Sequence, residues 1–258
     1  MLMILSPSKT LDFDTPPPLD PGAKPRFLSE TAQLMERLRP LSVDELRELM
    51  GISEKLGTLN HGRFQEWSED HGPGAAKPAV YAYTGDVYDG LRSGDLSKTD
   101  MNWAEHRLRI LSGLYGVLRP LARIRPYRLE MGIRLENPEG KNLYEFWEDR
   151  ITETLKKDMA EAGGNIFLNL ASQEYAKAVD VKRLGAREIV PKFKDWKNGQ
   201  YRFISFYAKK ARGFMARFAI QNRVETLEGL REFDLEGYRF SEKLTESADA
   251  PVFTRKES

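Results

Sequence analysis

Cysteine is absent from the 258-residue chain. That excludes a disulfide framework, a thiolate metal site and a cysteine nucleophile, and it leaves no thiol for an oxidant to attack, although eight methionines remain oxidisable. Histidine is nearly as scarce. His61, His71 and His106 show neither His-x3-His nor Glu-x-x-His spacing, so no dedicated iron or zinc site and no other cofactor is expected. A Gly-x4-Gly-Lys-Ser/Thr loop is also missing, and with it any sign of a Walker-type nucleotide site. No apolar run approaches the roughly 20 residues that cross a membrane. The opening Met1–Leu5 is apolar for only five residues and has no basic flank, which reads as a strand and not a signal peptide. A cytoplasmic chain without membrane contact is the expectation.

The most telling deficit is of carboxylates. Trp196–Val224 holds seven basic residues and no acid, and His106–Leu129 holds six arginines and no acid. The whole chain has a formal net charge of only +1, so the remainder is acidic by about 12 charges. Such segregation predicts a positive surface or cleft for a polyanion.

Length and composition, with 40% hydrophobic and 31% charged residues, describe a soluble globular protein with a full core. There is no internal repeat and no clear linker. Met1–Leu5 reads as a buried strand, and prolines 16, 17, 18, 21 and 25 as an extended loop. A helix is predicted over 27–39. Ser42 with Glu45 forms a capping box for the next helix, which Gly51 closes, and Ser53 caps another running to Trp67. His71–Gly74 breaks the chain. Strands are predicted at 79–83, 107–111, 131–136 and 166–170, and helical segments at 86–91, 97–106, 172–179 and 227–233. A single amphipathic helix is predicted over Asn142–Ala162. Arg187–Trp196 and Gln200–Tyr207 flank Lys197-Asn198-Gly199, a type I′ hairpin signal. A basic helix follows over 208–223, with edge strands at 238–240 and 251–254. The fold class is α+β, a mixed α/β single domain. It has a mixed sheet, helices around it and a helical insertion near 27–70.

In the basic helix, Ala211, Phe214, Met215, Phe218 and Ala219 share one face, flanked by Lys209, Arg212 and Arg223 on one side and Lys210 with Arg217 on the other. An exposed helix usually mixes signs; an unneutralised one suits phosphate. The alternative is a solvated helix whose cations pair with acids elsewhere. Tyr201, Phe203, Phe206 and Tyr207 are candidates for base stacking, or for core. Arg107, Arg109, Arg119, Arg123, Arg125 and Arg128 look like an anion site of planar forks, with interface or carboxylate pairing as the alternative. Leu49–Lys55 is similar to a helix-hairpin-helix: Gly51 and Ile52 match, Ser53 replaces a glycine, Met50 a proline, and Lys55 supplies the cation. In that device hairpin amides bind a DNA phosphate; an ordinary αα-hairpin is equally compatible. Ser6-Pro7-Ser8-Lys9 fits Ser-x-x-Lys, a pattern common by chance.

Together these blocks carry a resemblance. LSPSKTLDF at 5–13, LMGISEKL at 49–56, TGDVYDGL at 84–91, LSGLYGVLRPL at 111–121, PYRLEMGIRLEN at 126–137, NLASQEY at 169–175 and ISFYAKKARGFMARF at 204–218 resemble the YaaA family, bacterial peroxide-stress-resistance proteins. The resemblance spans nearly the whole chain. It implies protection against peroxide by lowering free intracellular iron. It also implies a family-specific fold with a positive cleft and a helix-hairpin-helix, and binding to double-stranded DNA, including distorted duplexes. It implies no established catalytic residues at positions of this chain, and no obligate protein partner is expected.

The expectation is therefore a non-enzymatic, sequence-independent DNA-binding protein. Its phosphate contacts would come from Gly51, Ile52, Ser53, Lys55, Arg109, Arg119, Arg123, Arg125, Arg128, Lys209, Lys210, Arg212 and Arg217. Two alternatives stay open. One is a glycosylase- or lyase-like DNA-processing enzyme with Lys9, Lys209 or Lys210 as nucleophile, its amine activated by neighbouring cations. The other is a protein that binds small phosphate compounds.

Overall fold

A computed structural model describes residues 1–72 and 74–256; Pro73, in the break expected at 71–74, lies outside the described residues. Leu2–Leu5 is apolar at every position because it is the middle strand of a five-stranded sheet covered on both faces. It pairs in parallel with Leu108–Ser112 on one side (Met3 opposite Leu108) and with Ile166–Asn169 on the other (Met3 opposite Leu168). Arg187–Ile189 extends the sheet in parallel beyond Ile166–Asn169, and Gly116–Leu118 closes the far edge antiparallel. A second, four-stranded sheet runs in the order Arg239–Phe240, Val252–Arg255, Lys192–Lys197, Gln200–Arg202. One contiguous core reaches from Leu2 through Phe214 to Phe253. The fold class is α+β, and among the described residues no helix is long and apolar enough to cross a membrane.

Local signals resolve as their chemistry dictates. Ser42 and Glu45 form both bonds of the capping box, Gly51 closes the helix Val43–Met50 at φ 60°, and Ser53 caps Glu54–Glu66. Asn198 and Gly199 take φ 53° and 81°, as a type I′ turn requires. Other expectations need correction. Residues 79–83 form a helical turn, Ala79–Ala82; so short a buried apolar run has no period to distinguish helix from strand. The single helix expected over 142–162 is two, Leu143–Trp147 and Arg150–Ala162, broken at Glu148 with φ 37°. Residues 131–136 form no strand. The strand expected over 187–196 divides at Val190-Pro191 between the two sheets, since proline has no N–H for the ladder. Val252–Arg255 is internal to its sheet, and the basic helix begins at Ser205 and ends at Gln221.

That helix is buried on most sides. Its Gly213 packs on the helix Asp86–Leu91, whose Gly90 faces it in return. A Cβ at Gly213 would lie 1.8 Å from the Val87 carbonyl oxygen, and one at Gly90 2.2 Å from that of Lys210. Backbone meets backbone here, so no side chain can yield. Gly213→Ala is expected to lower unfolding free energy by about 3 kcal/mol, read from urea unfolding. A loss below about 1 kcal/mol would show that the two helices separate freely.

Candidate functional site

In sheets with parallel strands, ligands favour the crevice beyond the strand carboxyl ends where chain order reverses. Here that point is Leu5, whose strand has partners on opposite sides that arrive later in the chain. The turn Ser6–Thr10 leaves the sheet there, with the Thr10 amide donating to Ser8 Oγ at 3.1 Å. The loop after the neighbouring strand is tied to it. Ser172 N–H donates to Ser6 Oγ at 2.8 Å, and the two hydroxyls stand 3.3 Å apart. The Tyr88 hydroxyl donates to the Ser6 carbonyl at 3.0 Å. Thr84–Tyr88 makes a further wall, and the Gly90–Gly213 contact presses the first turns of the basic helix, with Lys209 and Arg212, against the opening. The result is a cavity of about 470 Å³ lined by segments from four distant parts of the chain.

Its charges are unevenly matched. Lys9 pairs with Glu130 at 2.9 Å, and Arg128 with the same oxygen at 3.0 Å. Burial pushes the Glu130 carboxyl up, but the hydrogen bonds and charges of Lys9 and Arg128 outweigh it and hold the group below its ordinary value. Lys209 is exposed, Arg212 is half-buried, and neither has a hydrogen-bond or ion-pair partner among the described residues. Burial alone lowers the pKa of Arg212. Asp86 and Glu174 line the other side, Glu174 accepting from the Gly132 amide at 2.8 Å. Deeper in, Tyr127 bridges Tyr83 and Ser112, each at 2.6 Å. Burial pushes the Tyr127 hydroxyl up to about 12, so it remains protonated at neutral pH.

The arginine-rich stretch does not form one anion site. Arg109 is 1% exposed and bonds Asp158 at 2.5 Å, so no phosphate reaches it. Arg119 pairs with Glu161 and approaches Asp158, and Arg123 bonds Asp20 at 2.6 Å. Arg125 donates to the carbonyls of Asp70 and Glu66, and Arg107 pairs with Glu225. The carboxylates missing from the stretch arrive from elsewhere, which is the carboxylate-pairing alternative. Two cations of the basic helix are also engaged: Arg217 donates to the carbonyls of Leu91 and Arg92, and Arg223 pairs with Asp100 at 2.7 Å. Lys210 Nζ lies 5.7 Å from the centre of the Phe214 ring.

The cations without ion-pair partners lie farther N-terminal than the sequence indicated. In Lys192–Lys197 the pleat puts Lys192, Lys194 and Trp196 on one face and the buried Phe193 and Asp195 on the other. Asp195, the acid of this segment, is bonded by Arg255 and Tyr238. Lys192, Lys194, Lys197, Arg202, Lys209, Lys210 and Arg212 form no ion pair among the described residues. Beside them Phe203 is 63%, Phe206 55% and Trp196 37% exposed. Sequence reasoning overlooked Lys192 and Lys194, although KFKDWK alternates visibly. It also left Phe203 and Phe206 between core and stacking, and the structure places both on the surface. The hairpin at Gly51, Ile52, Ser53 and Lys55 is exposed apart from Ile52, but its helices carry five acids against three bases.

The three lysines considered as nucleophiles sit in different settings. Lys9 is held by Glu130, Lys209 stands in solvent, and Lys210 lies against an aromatic ring. Among the described residues no group of three or more His, Asp or Glu side chains is placed to hold a metal ion.

A family model described as peroxide stress protein YaaA matches residues 1–244. A UPF0246 protein of Cellvibrio japonicus is 51% identical over 257 residues, covering all of this chain and 99% of that relative. Another, from Alteromonas mediterranea, is 51% identical over 258 residues and the full length of both chains. A third, from Shewanella pealeana, is 50% identical over 257 residues. The chain belongs to the peroxide stress protein YaaA family.

Proposed function

We propose that this member of the peroxide stress family protects DNA by binding the duplex without regard to sequence. The observation that carries the reading is the 192–210 surface. Its cations have no carboxylate partners among the described residues, its acid is buried, and three large aromatic side chains stand exposed among them. Lysines and arginines of this kind replace the counterions of a phosphate backbone. Aromatic rings beside them stack on bases that a distorted duplex leaves unpaired, which accounts for distorted duplexes as ligands. The hairpin at Gly51–Lys55 adds a second contact, offering amides at the start of Glu54–Glu66 to one phosphate. Lys209 and Lys210 connect the surface to the basic helix. Occupying the backbone is itself protective: a phosphate neutralised by lysine no longer holds a metal ion, so less hydroxyl radical forms against the DNA.

Titrating duplex binding against salt tests this. With four to six phosphates contacted, the log–log slope is expected near −4 to −5, at about −0.9 per phosphate, with duplexes of unrelated sequence bound alike. A slope near zero, or a strong preference for one sequence, would overturn the reading.

A further inference from the structure

The buried arginines of this chain follow one rule. Arg109 and Arg123 each have a carboxylate within hydrogen-bond distance, at 2.5 and 2.6 Å. Arg212, half-buried at the cavity wall, has neither carboxylate nor carbonyl as a partner among the described residues, and unlike the similarly unpaired Arg231 it lines this cavity. An anionic ligand in the cavity supplies the guanidinium with the partner that the protein itself does not. A second group is orphaned close by. The turn residues Pro7, Ser8 and Lys9, together with Tyr175, also line a small adjoining hollow of about 40 Å³ that ends on Glu130. Glu130 is 8% exposed, and its Oε2 is buried with no hydrogen-bond donor among the described residues. One end of this space lacks an anion, and the other lacks a donor.

We infer that the cavity between Ser6–Thr10, Thr84–Tyr88 and the basic helix is a binding site for a free nucleoside 5′-monophosphate. The phosphate lies against Arg212 and Lys209, and the sugar and base offer their hydroxyl and amino donors to the carboxylates. The planar fork of Arg212 matches two phosphate oxygens, and Lys209 adds the second positive charge that a monoester dianion requires. Ser8 Oγ already accepts the Thr10 amide, which leaves its proton for a phosphate oxygen. The acids narrow the ligand class. Asp86 and Glu174 in the wall oppose a polyphosphate or an all-anionic groove, but they accept from ribose hydroxyls, as acidic residues do beside dinucleotides in other parallel sheets. A volume of about 470 Å³ suits one nucleotide and excludes a duplex. The cavity shares Lys209 with the proposed duplex surface, but Lys192, Lys197 and Arg202 lie outside its lining, so either assignment can fail without the other.

Calorimetric titration of the full chain with adenosine 5′-monophosphate, ribose 5-phosphate, adenosine and inorganic phosphate tests the inference. The two phosphorylated sugars are expected to bind, and adenosine about 30-fold or more weakly than its monophosphate. Arg212→Gln is expected to weaken the monophosphate at least tenfold. Lys209→Ala, at an exposed position that leaves folding intact, is expected to weaken it about fivefold. Changing Lys192, Lys197 and Arg202 together to glutamate serves as the control and is expected to leave the affinity for the monophosphate unchanged, since none of the three lines the cavity. No binding of either phosphorylated sugar at millimolar concentration overturns the inference, as does binding that both variants leave unchanged. A 5′-phosphorylated oligonucleotide that binds where its 5′-hydroxyl counterpart and the free monophosphate do not would assign the cavity to chain ends and overturn the free nucleotide as ligand.

Discussion

Replacing Asp158 with alanine is expected to lower the free energy of unfolding by about 3–5 kcal/mol, the cost of leaving a buried charge without its partner. Asp158 is 1% exposed and receives Arg26 through two bonds of 2.6 and 2.7 Å and Arg109 Nε at 2.5 Å, with Arg119 at 3.6 Å. Without it, Arg109 stays in the core with only the carbonyls of Glu105 and Leu108 as acceptors. Denaturant unfolding measures the loss; a change under about 1 kcal/mol would show that the guanidinium escapes to water.

The same group sets a limb of acid stability. Burial pushes the Asp158 carboxyl up, but hydrogen bonds and charges from Arg26 and Arg109 prevail and hold it at about 2, against 3.8 unperturbed. A depressed carboxyl stabilises the fold fully above the unfolded value. That contribution, roughly 2–3 kcal/mol, is lost as pH falls from about 4 to about 2. The alanine variant should show a correspondingly flatter stability profile over that interval. A profile as steep as that of the parent protein would assign the acid limb to other carboxylates.

The second large effect concerns DNA. Changing Lys192, Lys197 and Arg202 together to glutamate reverses three exposed charges on the surface proposed to meet the duplex. Affinity at low salt is expected to fall by two to three orders of magnitude, and the salt slope to shrink by about 3. The loss should be the same for unrelated sequences, because phosphate contacts carry no sequence information. Parallel exchange of Arg119 and Arg125 should change affinity by less than threefold, since their guanidiniums already serve Glu161 and the carbonyls of Asp70 and Glu66. If the triple variant binds duplex as well as the parent, the DNA surface lies elsewhere.

Much of the fold was legible because it rests on contacts within four residues. The capping box at Ser42, the cap at Ser53, the closure at Gly51 and the turn at Asn198-Gly199 depend on neighbours in the chain, and each formed where residue type placed it. The break at Glu148 was not legible, because the helical spacing of Phe146, Trp147 and Ile151 continues across it. What shaped that segment is the seat of the Trp147 ring, whose Nε1 donates to the Gly113 carbonyl at 2.8 Å.

The site divides the same way. The sequence by itself determined which segments are rich in cations, that cysteine chemistry is excluded, and that the histidines have no ligand spacing. It could not determine which cations are free, because neutralisation acts across space: Asp158 lies 49 residues from Arg109 and 132 from Arg26. Nor could it assemble a cavity from residues 6–10, 84–88, 172–175 and 209–212, which adjoin only because parallel strands meet at Leu5 and two glycines let two helices touch. Charge composition belongs to the chain; unpaired charge at a surface or in a cavity belongs to the tertiary fold, since a Coulombic partner is chosen by distance in space and not along the sequence.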